Sequence, residues 1–340
     1  MEEFREKIFE HLIEINDIVD KIDSEAKKGA KYFLWDQAKN FVKIRILIEK
    51  IKELDRSLER FSPDDLIMRL LGTSIASQNE LFQSYGEDNW HFKFKAAIKD
   101  FQDVIFDLYI YRFTYDTFSE NSRDNDKKAK ILMSLANPSS TLLEIGPGTG
   151  PLFRRLIRRG YNIEAIEYDS GMIHELFSRC PEAQGRVINA DFFEYNLGEN
   201  IYDMIFIESG IFLFTFLGRK LFFELFPNLD FERVRFGFNK IFRALKGNGM
   251  FLIGVQGLMK KVDIGHGMTF EMKRKQFEDR AEREITWYIK KGFLSRKKIL
   301  YRIRQSKPII PFEKFLQFSH ETGFKSVQIH ESYEWVILRK

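Results

Sequence analysis

Residues 141–169 read TLLEIGPGTGPLFRRLIRRGYNIEAIEYD, in which an apolar run is followed by three closely spaced glycines and by a second apolar run that ends in acids. The run Leu142–Ile145 predicts a buried strand, and Leu152–Arg159 predicts a helix behind the turn. Because glycine lacks a Cβ, a turn at residues 146–150 allows a ligand to approach the backbone closely. Ligands of open α/β sheets bind beyond the carboxyl ends of the strands. The segment therefore predicts a parallel sheet with a ligand site at its first turn.

Strand-like and helical segments alternate through the chain from about residue 121. Short apolar runs that predict strands occur at Thr141–Ile145, Ile163–Ile166, Arg186–Ile188, Met204–Ile207 and Met250–Val255. Strands spaced in this way, with helices between them, indicate βαβ units and an α/β fold. The alternation typical of antiparallel strands occurs later, at Glu284–Ile289, Ile299–Ile303, Val327–His330 and Trp335–Leu338. A mainly parallel sheet with an antiparallel end is therefore expected.

Residues 1–120 predict a separate, all-helical N-terminal domain. Apolar residues within Phe41–Leu58 recur at spacings of three and four, which places them on one helix face. A further helix is predicted at about Trp90–Phe118. The polar cluster Asn121–Asp126, NSRDND, is rich in turn-forming residues and marks the expected boundary. The second domain is expected to cover residues 121–340.

Composition excludes several classes of protein. The chain has 340 residues, enough for two domains with separate cores, and its 35 phenylalanines are expected to fill those cores. The single cysteine, Cys180, excludes a disulfide framework and a cysteine-rich zinc site, and no metal is expected. The most apolar stretch, Ile201–Phe226, is interrupted by charged residues and is therefore not a membrane span. The charged N-terminus lacks the apolar region of a secretory signal, so the cytoplasm is the expected location.

Charge is distributed unevenly along the chain, whose formal net charge is +4. Residues 1–120 hold 18 Lys and Arg against 24 Asp and Glu, a net charge of −6, and the remainder is therefore +10. Residues 256–305 hold 14 basic and 6 acidic residues, a net charge of +8. A block of this sign suits a nucleic acid, an anionic lipid or an acidic substrate, and it is also typical of a solvated face.

The glycine spacing distinguishes two classes of ligand. A dinucleotide site has the pattern G-x-G-x-x-G, whose third glycine would fall here at Pro151. The spacing is instead G-x-G-x-G, at residues 146, 148 and 150. Glu144 lies beside the turn, where its carboxylate repels a pyrophosphate and suits a cationic group. A dinucleotide ligand is therefore disfavoured.

An acid followed by G-x-G-x-G resembles the first motif of the class I S-adenosylmethionine-dependent methyltransferases. Segments that resemble the later motifs follow in the family's order: IEAIEYD at 163–169, INADFF at 188–193, YDMI at 202–205 and IFRALKGNG at 241–249. The resemblance covers about residues 111–340. It implies a Rossmann-like, seven-stranded methyltransferase sheet and S-adenosylmethionine as the cofactor.

Three carboxylates have implied roles in binding this cofactor, which presents an ammonium, a sulfonium, a ribose diol and an adenine amine. These groups are cations or hydrogen-bond donors, so acceptor carboxylates are complementary to them. Glu144 suits a cationic group, and Glu167 matches the acid that accepts hydrogen bonds from both ribose hydroxyls. Asp191 matches the acid that contacts the adenine amine. In the family, the backbone N–H of the residue after this acid commonly contacts the adenine ring, and here that residue is Phe192.

The remaining implied contacts surround the methionine part of the cofactor. Gly146, Gly148 and Gly150 allow it to lie against the backbone. Tyr115 precedes the nucleotide-binding part, where the family commonly places residues over the methionine moiety. Glu208, after the fourth strand, either holds the sulfonium side or faces the substrate, or is an ordinary residue at the end of a strand.

The resemblance also bears on the methyl acceptor. Relatives that methylate an exocyclic base amine usually carry Asn/Asp-Pro-Pro-aromatic after the fourth strand, where this chain has Glu208-Ser209-Gly210-Ile211. Cytosine-C5 methylation needs a cysteine near that position, and Cys180 lies elsewhere. Residues 256–305 resemble the strand-rich lids of small-molecule methyltransferases, which exclude water. A small-molecule acceptor is therefore expected, and a nucleic acid is disfavoured.

The predicted activity is transfer of the cofactor's methyl group to an N or O atom of a small molecule, mainly by positioning in a lidded pocket. An anionic acceptor would suit the basic lid. His266, in IGHGM, is the candidate base for an acceptor that starts protonated. The helical domain would serve as a lid or as the surface of a homodimer. Three alternatives stay open: a nucleic-acid or protein methyltransferase, transfer of the cofactor's aminocarboxypropyl arm, and a non-catalytic partner protein.

Overall fold

A computed structural model describes the second unit of the chain almost completely and the first only in part. The described residues are 112–340, apart from 210, 218–219, 226–230, 257–260, 265–267, 278–279 and 290–297, together with scattered positions between 7 and 50. The chain divides into two compact units, Met1–Phe113 and Thr114–Lys340. Residues 114–120, which the sequence places in the N-terminal domain, thus group with the second unit.

The described positions of the first unit are helical. Ile15, Ile18, Ile44 and Leu47 are buried there, as an amphipathic helix pattern predicts. The remainder of the predicted helical domain, including most of the predicted helix at 90–118, lies outside the described residues.

The second unit alternates helices and strands. Its helices are α1 (Arg112–Ser122, which begins two residues before the unit boundary), α2 (Asn125–Leu135), α3 (Pro151–Ile157), α4 (Ser170–Arg179), α5 (Phe231–Ala244) and α6 (Phe312–Thr322), with a short 3-10 turn at Pro181–Ala183. Its strands are β1 (Thr141–Ile145), β2 (Asn162–Glu167), β3 (Val187–Asn189), β4 (Tyr202–Ile207), β5 (Phe212–Leu217), β6 (Lys220–Leu225), β7 (Leu245–Gln256), β8 (Lys261–Asp263), β9 (Met268–Gln276), β10 (Arg280–Ile289), β11 (Lys298–Pro311), β12 (Ser326–Ile329) and β13 (Trp335–Arg339). No helix among the described residues is both long enough and apolar enough to cross a membrane.

A main sheet forms the centre of this unit. Strands β3, β2, β1, β4 and β7 lie side by side and parallel, which confirms the predicted βαβ arrangement. Strand β13 joins β7 in the antiparallel sense, and β12 pairs with β13. Because β1 to β4 and β7 are parallel, their carboxyl ends meet along one edge.

The complete sheet is larger than the predicted seven strands. The part of the chain that the structure describes contributes 13 strands to it, because a hairpin and an inserted sheet extend the edge beyond β7. The hairpin consists of β5 and β6, and the inserted sheet consists of β8 to β11, all antiparallel. The insertion was predicted at about 256–305, and its last strand continues to Pro311.

A short seam joins the inserted sheet to the main sheet through the hairpin. On one side of the hairpin, β5 pairs with the end of β7 at Phe214↔Val255 and Thr215↔Gln256. On the other side, β6 pairs with β11 at Glu224↔Ile309, Phe223↔Ile310 and Phe222↔Pro311. We refer to these five residue pairs as the seam.

The core lies on both faces of the main sheet, since successive side chains of a strand point to opposite faces. Leu143 and Ile145 of β1 belong to one buried cluster, and Leu142 belongs to the other. The first cluster is largely aromatic; in it, Phe238 of α5 contacts Phe212, Phe223, Phe251, Phe315 and Phe318. The phenylalanines thus fill this core, as composition predicts.

Candidate cofactor site

The glycine turn lies at the carboxyl end of β1, and its three glycines have different surroundings. Gly146, Gly148 and Gly150 have φ values of +70°, +59° and +78°, a backbone conformation that favours glycine. A Cβ on Gly150 would lie 2.4 Å from a methyl carbon of Leu176, and one on Gly148 would lie 3.1 Å from the ring of Tyr115. At Gly146 the nearest atom, the carbonyl oxygen of Ser209, is 3.8 Å away. The turn is therefore closed by protein at 148 and 150 and more open at 146.

Glu167, at the end of β2, fixes the glycine turn from the neighbouring strand. Its Oε2 accepts a hydrogen bond from the Gly148 N–H at 2.9 Å, and its Oε1 accepts one from the Asp169 N–H at 2.8 Å. Burial raises the pKa of this carboxyl, and backbone hydrogen bonds from Asp169, Gly148 and Tyr168 act in the opposite direction. Because each carboxylate oxygen has two lone pairs, the carboxylate keeps acceptor capacity for a further donor beside these backbone groups. Glu167 can therefore hold the turn and accept from a diol at the same time.

Glu144 lies on β1 next to the turn and is almost completely buried, with 2% of its surface exposed. Its Oε2 has no hydrogen-bond partner. Burial raises the pKa of this carboxyl well above its usual range, and the negative charges of Glu208 and Glu167 raise it further. A buried polar atom without a partner costs free energy. A cationic group of a ligand would satisfy it, which fits the ammonium or sulfonium that the sequence assigns to this site.

Glu208 follows β4 and is engaged by two buried cations. Lys128 of α2 contacts its Oε1 at 2.7 Å, and Arg123 forms an ion pair with its Oε2. Burial alone raises the pKa of this carboxyl, but the charges of Arg123 and Lys128 outweigh burial and lower its pKa to about 2. The charge of Glu208 is thus balanced by two buried cations, and this arrangement favours a structural role in which Glu208 holds α2 against the main sheet.

Two neighbours complete the surroundings of this ion-pair network. Lys128 lies 5.5 Å from the ring centroid of Trp335 on β13. A Cβ on Gly254 of β7 would lie 2.1 Å from the carbonyl oxygen of Glu208, so the two backbones approach at a distance that only glycine permits. The sequence analysis did not identify Arg123, Lys128 or Gly254 as residues of the site. The sequence feature that could have indicated the two cations is a pair of basic residues at the start of a helix, and the fold buries both of them.

Tyr115 lies beside the glycine turn. Its side chain is 7% exposed, and its ring contacts the position of Gly148. The guanidinium of Arg123 is 6.0 Å from the ring centroid. Burial raises the pKa of the Tyr115 hydroxyl. Arg123 therefore connects Tyr115 with Glu208 on the two sides of the turn.

Asp191 and Phe192 follow β3, the strand next to β2. Asp191 accepts a hydrogen bond from the Phe193 N–H at 2.8 Å through Oδ1, and its Oδ2 is 3.7 Å from Arg233. The Phe192 side chain is buried, and its carbonyl accepts from Lys240 at 2.7 Å. Asp191 therefore lies at the same edge of the sheet as Glu144 and Glu167, with part of its carboxylate exposed.

Tyr168 was missed by the sequence interpretation. It directly follows Glu167 and is 77% exposed. Its carbonyl accepts a hydrogen bond from Asn189 of β3 at 3.0 Å, which fixes the backbone at this point. An exposed ring beside the carboxylates can stack on a flat ligand group. The sequence feature that could have indicated this residue is the presence of an aromatic side chain immediately after Glu167.

The candidate base cannot be placed in this site. His266 lies in residues 265–267, outside the described residues. Its role remains a prediction.

Comparisons with known proteins identify the domain that contains this site. Residues 143–253 match a family model described as a methyltransferase domain. Ribosomal RNA small subunit methyltransferase A from Porphyromonas gingivalis is 41% identical over 58 residues, which cover 17% of this chain and 22% of that protein. The protein of the same name from Bacteroides thetaiotaomicron is 25% identical over 109 residues, 31% of this chain and 40% of that protein. The matches thus span less than half the length of these relatives.

Two solved structures of methyltransferases are among those to which this chain is similar. The sugar N-methyltransferase KedS8 from Streptoalloteichus sp. ATCC 53650 has a TM-score of 0.47 at 14% identity, covering 66% of this chain and 92% of that chain. The amino pentose methyltransferase CalS10 from Micromonospora echinaspora, bound to S-adenosylmethionine, has a TM-score of 0.48 at 13% identity, covering 68% and 96%. The family match begins on β1 and ends on β7, and so includes the glycine turn and the carboxylates after it. Residues 143–253 are thus similar to a methyltransferase domain, the class of domain that the motifs of this segment also resemble.

Proposed function

We propose that this chain transfers the methyl group of S-adenosylmethionine to an N or O atom of a small-molecule acceptor. One observation carries the proposal: the buried Oε2 of Glu144 lacks a partner, at the sheet edge where Glu167 keeps acceptor capacity. A ligand that combines a cation with a diol satisfies both carboxylates, and S-adenosylmethionine is such a ligand.

In this proposal, different residues around the turn bind different parts of the cofactor. Glu167 accepts from the ribose hydroxyls and Asp191 from the adenine amine. The exposed ring of Tyr168 stacks on the adenine. The methionine part lies along the open backbone at Gly146 and beneath Tyr115, with its cationic group near Glu144.

In this proposal, catalysis depends mainly on how the site positions the acceptor relative to the methyl group. The bound cofactor supplies an electrophilic methyl group, and an acceptor atom held in line with it needs no covalent help from the protein. The ion pairs of Glu208 with Arg123 and Lys128 hold Tyr115 and the end of β4 in place. His266 is the proposed base for an acceptor that arrives protonated.

We propose that the seven strands of the main sheet are the methyltransferase core and that the inserted sheet β8–β11 is the lid over the acceptor. A lid that excludes water from the transfer step suits a small acceptor. The N-terminal helices are proposed to complete the lid or to form a homodimer.

A small molecule is favoured over a nucleic acid because of Glu208. Enzymes that methylate an exocyclic base amine present free polar acceptors after the fourth strand. Here both carboxylate oxygens at that position are held by Arg123 and Lys128. The matches to ribosomal RNA methyltransferases cover 17% and 31% of this chain, and similarity over so small a part does not extend their acceptor to it.

Labelled cofactor tests the acceptor class directly. The protein is incubated with a cell extract and with S-adenosylmethionine labelled either in the methyl group or in the carboxyl group. We expect only the methyl label to enter small molecules, and nuclease treatment to leave this signal unchanged. Glu167→Ala serves as the inactive control. Loss of labelling after nuclease treatment would favour a nucleic-acid acceptor, and transfer of the carboxyl label would indicate aminocarboxypropyl transfer.

Cofactor binding is expected to release a proton from Glu144. The pKa of this carboxyl is raised in the free protein, and a cation beside it would lower that pKa, so the affinity should increase with pH. Calorimetry in buffers of different ionisation enthalpy measures the proton count. Glu144→Gln should abolish the release, and an unchanged count in this variant would remove Glu144 from the cation site.

A further inference from the structure

A buried ionic cluster connects the hairpin with the inserted sheet. Arg274 of β9 and Arg283 of β10 lie opposite each other in the strand register, and both form ion pairs with Glu224 of β6. Their side chains are 8% and 7% exposed, and that of Glu224 is fully buried. Lys307 of β11, opposite Ala281 of β10, is also buried. We call these four residues the Glu224 cluster.

Positive charge exceeds negative charge in the Glu224 cluster. Arg274 and Arg283 both form ion pairs with the one carboxylate of Glu224, and Lys307 is buried on the neighbouring strand. Burial lowers the pKa of Lys307 to about 8, and the charges of Arg283 and Arg274 contribute, while Glu224 acts in the opposite direction. Burying an excess of like charge is costly without a counterion. The two guanidinium groups of Arg274 and Arg283 thus share the single carboxylate charge of Glu224.

Unused hydrogen-bond donors accompany the excess charge. The Nε atoms of Arg274 and Arg283 are both buried and have no hydrogen-bond partner. A guanidinium offers a fixed fork of donors that matches the oxygens of a carboxylate or phosphate. Both arginines also line a pocket of about 600 Å³ formed by residues of β9, β10 and β11.

The Glu224 cluster is linked to the carboxyl end of the main sheet. Arg274 donates a hydrogen bond to the Thr215 hydroxyl at 3.0 Å, and Thr215 pairs with Gln256 at the end of β7. The carboxyl ends of the parallel strands also carry the candidate cofactor site. An anion held by the cluster is thus attached to the edge of the sheet at which methyl transfer is proposed.

We propose that the Glu224 cluster binds the anionic group, a phosphate or a carboxylate, of the methyl acceptor. This inference rests on the proposed function and narrows the acceptor to small molecules that carry such a group. Arg274 and Arg283 supply the donors, Lys307 adds charge, and Glu224 holds the two arginines parallel. The cluster is then a specificity site, separate from the residues that bind the cofactor.

Inorganic phosphate and acetate are suitable probes, titrated by calorimetry into the full chain. We expect millimolar binding of one of them, and the stronger of the two identifies the acceptor's anionic group. Arg283→Gln should weaken that binding at least tenfold. Arg280→Gln, on the exposed part of the same strand beside Glu282, removes the same charge and should leave binding unchanged.

Glu224→Gln is expected to change the probe affinity in the opposite direction. It therefore distinguishes loss of the binding site from loss of folding in Arg283→Gln. Removing the carboxylate that competes with the probe should tighten phosphate or acetate binding several-fold, whereas a purely structural ion cluster would show no gain. Equal probe affinity in wild type, Arg283→Gln and Glu224→Gln would overturn the inference. Affinity for S-adenosylhomocysteine, measured in the same samples, reports separately on the proposed function and should stay constant in all variants.

Discussion

Glu208→Gln is expected to lower the free energy of unfolding by about 3–5 kcal/mol, because it leaves the buried charges of Arg123 and Lys128 without their carboxylate. The neutral amide keeps the shape of the side chain, so the loss is electrostatic. Urea denaturation at pH 7, followed by tryptophan fluorescence, measures the change; Trp335 lies over Lys128 and reports on this region.

A matched control comes from the next ion pair along α2. Lys127 contacts Glu334 at 3.0 Å, with side chains that are 45% and 21% exposed. Glu334→Gln should cost less than about 1 kcal/mol, because exposed pairs contribute little. Similar losses in the two variants would contradict the structural role assigned to Glu208.

The pH dependence of the Glu208 effect has a definite sign. The pKa of this carboxyl is lowered to about 2 in the folded protein, against a usual value of 4.5 in the unfolded chain. Its contribution is therefore fully present above pH 4.5 and is lost as the pH falls towards 2. The stability difference between wild type and Glu208→Gln should close over the same range.

Glu167→Ala is expected to weaken the binding of S-adenosylhomocysteine by about 3 kcal/mol, roughly a hundredfold. The substitution removes a charged acceptor for the ribose hydroxyls. It also removes the acceptor for the Gly148 and Asp169 N–H groups, so the glycine turn loses its link to β2. Calorimetry with this non-reactive product measures the affinity.

Glu164→Ala is the control for this experiment. Glu164 lies on the same strand, is exposed, and accepts a hydrogen bond from Tyr202 at 3.2 Å. Its replacement should leave cofactor affinity unchanged. Unchanged affinity in Glu167→Ala would show that the diol is bound elsewhere and would remove the main support for the proposed cofactor site.

Local patterns predicted the main sheet well. The strands around the glycine turn, the turn itself and the order of the acids after β1, β2 and β3 follow from short segments whose periodicity and composition are unambiguous. The hairpin β5–β6 was missed. Its segments FLFTFL and KLFFEL are apolar on both faces, so alternation does not distinguish a strand from a buried helix.

The other differences between the sequence prediction and the structure arise from side-chain partners that are far apart in the sequence. Glu208 was a candidate ligand in the sequence, and its partners Arg123 and Lys128 lie 85 and 80 residues away. The Glu224 cluster likewise assembles from four strands that the fold brings together. A charged residue that a motif alone leaves ambiguous acquires its role from neighbours that no local pattern reveals.

The seam between the inserted sheet and the main sheet has a mechanical consequence. Among the described residues, the strand pairing that joins the two through the hairpin consists of the five pairs of the seam, and its β6–β11 side ends at Pro311, which has no N–H to extend the ladder. A rotation about this narrow hinge breaks few backbone hydrogen bonds and leaves the strands that carry the cofactor residues intact. We therefore expect the inserted sheet, as the proposed lid, to move as one flap when an acceptor enters or leaves, while the sheet edge that carries the carboxylates keeps its structure.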